Sequence, residues 1–177
     1  MNPLENIDLS ALTITRYPAG VLAQPTRLVE VFDEKLAALT RRMFELMYQA
    51  KGVGLAGTQV GLSLRLFVAN PNGAPGEGEA VYVNPRILSM DGSAVGEEGC
   101  LSVPGIQVKI KRATRVTIRA QDLSGKEFEQ TGEGLLARIF QHETDHLDGT
   151  LVVNRMSVVA RLANRRTLKE LEEKAGT

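Results

Sequence analysis

The chain has 177 residues, 43% of them hydrophobic, which is enough for one domain with a sizeable core. Lys+Arg and Asp+Glu each number 21, so bulk charge predicts neither DNA nor an acidic substrate as a partner. No stretch approaches the roughly 20 apolar residues needed to span a membrane, residues 1–8 carry neither a basic region nor a long apolar run, and a single cysteine excludes a disulfide within the chain, so a soluble protein of a reducing compartment, the cytoplasm, is expected.

Residues 1–12 read as a polar extension, and Leu12-Thr13-Ile14 as a short strand ahead of the break at Tyr17-Pro18-Ala19-Gly20. From Thr26, a fair N-cap, Leu28, Phe32, Leu36, Leu39, Met43, Leu46 and Met47 recur at helical spacing and predict a helix to about Ala50, its methionines serving as core packing. Residues 52–61, Gly-Val-Gly-Leu-Ala-Gly-Thr-Gln-Val-Gly, form a glycine-dense connection that lets another backbone approach closely. The connection lacks the Gly-Lys-Ser/Thr ending and the preceding strand of a phosphate loop. Gln59 is its one side chain suited to act as a fixed hydrogen-bond donor, although most glutamines in such loops face water.

A strand is predicted over 64–69, followed by a mobile surface loop over 70–79. Further strands are predicted over 80–84, 86–90, 107–111 and 115–120, with turns at Asp91-Gly92 and Asp122-Leu123-Ser124-Gly125, and residues 126–131 complete an antiparallel hairpin. Between them, residues 96–105 are rich in turn formers rather than periodic, and hold Cys100 on a bend. A lone free cysteine is most often a small buried hydrophobe; the other reading is a thiolate ligand for zinc or ferrous iron.

The second reading gains weight from residues 141–149, Gln-His-Glu-Thr-Asp-His-Leu-Asp-Gly, which contain both histidines of the chain. An α-helix puts positions i and i+4 on one face, so His142 and His146 can present two imidazoles to one metal ion with Glu143 beside it. Leu135, Ile139, His142 and His146 share a stripe, with Leu136, Phe140, Glu143 and Leu147 on the next and Arg138, Gln141, Asp145 and Asp148 opposite. Gly132 and Gly134 bracket the helix start, Glu133 suits the positive end of its dipole, and Gly149 is a natural terminator. Two core histidines one turn apart would be the plain alternative, but random placement gives this spacing only about once in 90. A catalytic site of this kind needs a third protein ligand plus a water, and Cys100 is the candidate.

Residues 150–154 read as a short strand and 157–174 as a C-terminal helix with Arg161, Arg165 and Lys169 along one face and Arg166 beside them. A solvated basic face is the plain reading, favoured by Glu170, Glu172 and Glu173; contact with an anionic partner such as ribosomal RNA is the sharper one.

Three stretches together carry a resemblance. Gly52-Val53-Gly54-Leu55-Ala56-Gly57-Thr58-Gln59, Glu98-Gly99-Cys100-Leu101-Ser102 and residues 141–149 look like the three signature motifs of the peptide deformylases, in the family's order, and the similarity runs from about Pro18 to Asn154. The first motif departs at Gly57, where the family usually has alanine; the missing methyl predicts a looser turn without loss of a chemical group. The resemblance and the predicted elements together imply an α+β fold over residues 1–177, with antiparallel strands packed around a central metal-binding helix and one helix on either side in sequence.

The resemblance further implies hydrolysis of the N-formyl group from the initiator methionine of newly made polypeptides, releasing formate. Cys100, His142 and His146 would hold one divalent ion, ferrous iron in the cell, with zinc, nickel or cobalt able to replace it. Hydroxide generated there would attack the formyl carbon, Glu143 would take the water's proton and pass it to the amine, and the Gln59 amide with the Leu101 backbone N–H would stabilise the oxyanion. The substrate would lie extended near Val53, Gly54 and Gly105, with Leu135 and Ile139 lining the methionine pocket and Arg138 at its mouth. Asp145 would steady a ligand or form a structural ion pair. Two other readings are a metallopeptidase cutting internal amide bonds, against which the cysteine and the three-motif set argue, and a non-catalytic metal-stabilised interaction module, which has no need of Glu143 and Gln59.

Overall fold

In a computed structural model, which describes residues 3–176, the first long helix is α1, Glu34–Gln49. Its buried face carries Leu36, Leu39, Met43, Leu46 and Met47, as the spacing predicts, but it starts at Asp33 rather than Thr26. The Asp33 carboxylate accepts from the Leu36 N–H at 3.0 Å. Residues ahead of it run irregularly because they are tied elsewhere. Arg27 bridges to Leu64, the Val29 N–H donates to Asn84 Oδ1, and Leu28, included in the helical series, is 62% exposed.

The N-terminal segment is not a polar extension. Leu4 is buried and Ile7, Leu9, Leu12 and Ile14 pack against the core beneath α1; Met1 and Asn2 lie outside the described residues. Leu12-Thr13-Ile14 forms no strand: Leu9–Ala11 is a single 3-10 turn capped by Asp8, with Leu12 closing it.

The strands β1 (Gly54–Ala56), β2 (Leu66–Ala69), β3 (Ala80–Asp91), β6 (Arg115–Gln121) and β7 (Glu127–Glu133) make one antiparallel sheet in the order β1-β2-β3-β6-β7. A separate hairpin pairs β4 (Ala94–Cys100) with β5 (Val103–Arg112). Three differences from expectation matter. The glycine-dense connection contributes β1. The two strands expected over 80–84 and 86–90 are one, interrupted by a register shift where Asn84 takes φ 51° and its side chain bonds to Val29 and Gln121. The bend expected around Cys100 is mostly strand, because pairing with β5 satisfies a backbone whose own residues have low strand propensity.

Helix α2, Leu135–Leu147, runs between the sheet and this hairpin. Ala137, Ile139, Phe140 and Leu147 pack against Phe67, Tyr82 and Ile118, with the Phe140 ring edge-on to Tyr82 at 5.2 Å between centroids. Each such buried side chain contributes about 1.5–3 kcal/mol. Gly149 terminates the helix with φ 75°. The opposite face, expected to be polar, is polar but largely covered: Gln141 is 7% exposed and exchanges hydrogen bonds with the Ala113 N–H and C=O, and only Asp148 at the helix end is exposed. A helix covered on both sides needs polar partners on its second face.

Residues 150–154 contain no strand. Val152–Arg155 is one helical turn, α3, with Asn154 Oδ1 accepting from the Leu151 N–H. Leu151, Val152 and Val153 are all buried beside β5, so no alternation exists for a half-buried strand. The predicted C-terminal helix is two, α4 (Val158–Ala163) and α5 (Arg165–Ala175), broken at Asn164. No helix among the described residues is long and apolar enough to cross a membrane.

Gly57 overturns the expectation of a looser turn. It is buried, its carbonyl accepts from the Leu62 N–H at 3.0 Å, and a methyl added to it would stand 2.5 Å from the Leu64 carbonyl oxygen. Gly57→Ala should therefore cost about 1–3 kcal/mol in chemical denaturation, as overpacking does. An unchanged midpoint would show that the backbone at 62–64 yields freely.

Candidate active site

On β4, Glu98 and Cys100 are buried and Gly99 between them is exposed, with a register shift between Gly99 and Cys100 where the hairpin turns. Helix α2 places His142 and His146 opposite them. Cys100 Sγ lies 3.3 Å from His146 Nε2, which lies 3.2 Å from His142 Nε2, and the three donor atoms all fall within 4.8 Å of one another. A soft sulfur and two imidazole nitrogens converging this closely, in a nearly dry setting, suit zinc or a first-row transition ion. The residues present therefore fit the metal that the motif implies.

The surrounding groups hold these donors in place. Glu98 Oε2 stands 3.0 Å from His142 Nδ1, leaving Nε2 to face the donor cluster. Glu98 also accepts from Arg112 Nε and Nη2 at 2.8 and 3.0 Å and from Arg138 Nη1 at 2.7 Å. Burial alone would push its carboxyl up, but the hydrogen bonds from His142 and Arg112 hold it well below the usual carboxylate range. Arg112 continues to Asp145 at 2.7 Å, and Arg155 closes the chain on Asp145 from outside. Asp145 thus forms an ion pair at one remove from the ligands. Burial, and then the charge of His142, push His146 well below the ordinary imidazole value, toward the neutral form that binds metals.

Gln59 sits on the turn after β1, 1% exposed. Its Oε1 accepts from the Ala56 N–H at 2.8 Å, which turns Nε2 toward Ser102 Oγ at 3.2 Å and Cys100 Sγ at 3.6 Å. Its donor is therefore aimed at the cluster by the chain's own backbone. Leu101 follows Cys100 at the hairpin turn, with its side chain packed against Gly52.

Glu143 is buried, and its Oε2 has no partner among the described residues. Its other oxygen lies so close to the Cα of Gly54 that a methyl there would collide with it. Burial raises its carboxyl to about 7. A buried carboxyl that titrates near neutral pH and lines a cavity is suited to exchange a proton there.

The cavity is about 610 Å³ and opens between β1, the β4–β5 hairpin and α2. Val53, Gly54, Gln59, Cys100, Leu101, Gly105, Leu135, Ile139, His142 and Glu143 all line it, so of the residues expected at the metal, catalytic and peptide-binding positions only His146 is not part of the lining. The positions that sequence reasoning left without a role are Glu98, Arg112 and Ser102. Glu98 had a local signal, its place two residues before Cys100 within the same motif; Arg112 had none.

The family description of polypeptide deformylase matches residues 11–161. The chain is 47% identical over 160 residues to the peptide deformylase of Acidobacterium capsulatum, covering 90% of this chain and 94% of that one. It is 46% identical over 165 residues to that of Chromobacterium violaceum, covering 93% and 98%. Its fold is similar to a plant peptide deformylase crystal structure, with a TM-score of 0.91 and 42% identity over 94% of this chain and 91% of that one. A peptide deformylase structure from Legionella pneumophila gives a TM-score of 0.86 at 45% identity, covering 93% and 97%.

Proposed function

The chain belongs to the polypeptide deformylase family, and from that membership we propose how its own residues remove the formyl group from the initiator methionine of newly made polypeptides. The observation that carries the reading is Glu143, a buried carboxylate with one oxygen unpartnered among the described residues, lining the same cavity as Cys100, His142 and Gln59.

Cys100, His142 and His146 would hold one divalent ion, which when bound supplies Lewis acidity that activates a water and polarises the formyl carbonyl. Glu143 accepts the proton of the attacking water and delivers it to the departing amine. The Gln59 amide and the Leu101 N–H donate to the oxygen on which negative charge develops. Glu98 keeps His142 in the tautomer that presents Nε2, and Arg112 keeps Glu98 ionised.

The substrate lies extended along Val53, Gly54 and Gly105, and Leu135 and Ile139 receive the methionine side chain. Gln59→Ala should lower kcat by about a hundredfold or more at unchanged metal content; steady-state kinetics on a formyl-methionyl tripeptide would reveal it, and an unchanged rate would remove Gln59 from the oxyanion site.

A thiolate with two imidazoles suits several divalent ions, and of ferrous iron, nickel, cobalt and zinc we take ferrous iron as the working one. The single thiolate favours the reducing cytoplasm, where translation supplies the substrate. A ribosome contact would use Arg161 and Arg165. Among the described residues neither forms an ion pair, whereas Arg166 and Lys169 pair with Glu170 and Glu173.

The experiment that separates this reading from a metallopeptidase is mass analysis of formyl-Met-Ala-Ser after incubation. Loss of the formyl group alone is the expected result. Cleavage of the Met-Ala bond with the formyl group retained would overturn it.

A further inference from the structure

Arg138 lies on α2, one turn before His142, and every acceptor its guanidinium reaches belongs to the β4–β5 hairpin across the cavity. Nη1 donates to Glu98 Oε1 at 2.7 Å and to the Ile110 carbonyl at 3.1 Å, and Nη2 donates to the Ala94 carbonyl at 3.3 Å. The planar head lies against the bare Cα of Gly96, where a methyl would stand 2.7 Å from Nη2 and 3.0 Å from Cζ. One side chain thus reaches both strands of the β4–β5 hairpin, and the hairpin comes as near as a glycine permits.

Leu135 and Ile139 line the cavity from α2, and Glu97 and Gly99 line it from the hairpin. The separation of these two walls is the width available to a side chain entering between them. We propose that Arg138 is a specificity-determining positioning residue, which fixes that width by fastening the hairpin to α2. The inference rests on the deformylase reading of the cavity. Arg112 holds Glu98 through two bonds of its own, so Arg138 is not needed to keep Glu98 on His142. Wall spacing and metal binding are therefore separable.

The planar fork is what the task requires. A guanidinium offers five donors in one plane and can lie flat on a glycine, whereas an ammonium is a compact point charge. A methionine at 138 keeps an unbranched apolar stem and removes the head.

The test is steady-state kinetics of the metal-loaded enzyme on formyl-Met-Ala-Ser and formyl-Phe-Ala-Ser, comparing wild type with Arg138→Met and with Gly96→Ala, which displaces the guanidinium while retaining it. Both variants should keep one metal per chain and a kcat within about threefold of wild type. Both should raise KM for the methionine substrate and narrow its advantage over phenylalanine by about tenfold, within the range that small pocket changes produce. Should Arg138→Met fail to fold, Gly96→Ala carries the test alone. Unchanged KM and selectivity in an active variant would overturn the proposal, as would a fall in kcat accompanied by metal loss, which would place Arg138 behind His142 instead. A metallated wild type that releases no formate from either peptide would overturn the deformylase reading itself.

Discussion

Glu143→Ala should lower kcat by about 10³-fold, roughly 4 kcal/mol of barrier, while the protein keeps its metal. The three converging donors are Cys100, His142 and His146, and Glu143 is not among them. Its side chain instead lies against Gly54 and lines the cavity, with one oxygen unpartnered among the described residues. Removing the carboxylate takes away a buried acid that lines the cavity, is not one of the three donors and, unlike Glu98, is not held by arginines. Glu143→Gln should behave alike, since it retains the shape against Gly54 and loses the basicity. Single-turnover formate release with parallel metal analysis checks both variants. Metal loss on either change would show that Glu143 is a ligand or a structural support.

Cys100→Ala should weaken metal retention by more than the roughly 10- to 100-fold that loss of an outer partner costs, because it removes a direct donor. Formate release should fall with it. The hairpin keeps its backbone pairing from Ala94 to Gly99 and its buried Val103, Val108 and Ile110, so the variant should fold. Metal per chain after dialysis against a chelator is the readout. Unchanged stoichiometry would remove the cysteine from the site and leave an imidazole pair that needs a different third donor.

Much of the fold was legible wherever periodicity reported burial on one face. The apolar stripe of α1 and the four-residue spacing on α2 required no tertiary information, and the two histidines do stand together beside Cys100. Legibility failed where distant backbone made the decision. Thr26 opens no helix because its N–H and hydroxyl both donate to the Leu147 carbonyl, a partner 121 residues away. Residues 94–99 form a strand because β5 lies beside them, although the four at positions 96–99 are all charged or glycine. Leu4, Ile7 and Leu9 looked too sparse for a core element, yet α1 needed a cover and they supply it.

The site shows the same division. Ligand candidates and Glu143 followed from residue type and spacing, since metal chemistry restricts both. The chain from Arg155 through Asp145, Arg112 and Glu98 to His142 draws on two helices, α2 and α3, and two strands, and no local pattern announces it. The helical projection alone put Arg138 on the outer face, and only the resemblance put it at the pocket mouth, because a projection does not show that a hairpin covers that face.

The central claim is that a metal held by Cys100, His142 and His146 works with Glu143 to release formate. Its most direct test is anaerobic formate release from formyl-Met-Ala-Ser by protein stripped of metal and reloaded stepwise with ferrous iron. The rate should rise in proportion to bound iron and level off at one ion per chain, with the Glu143→Ala protein binding the same iron and releasing almost nothing. A folded wild type carrying one ion per chain that releases no formate would contradict the account.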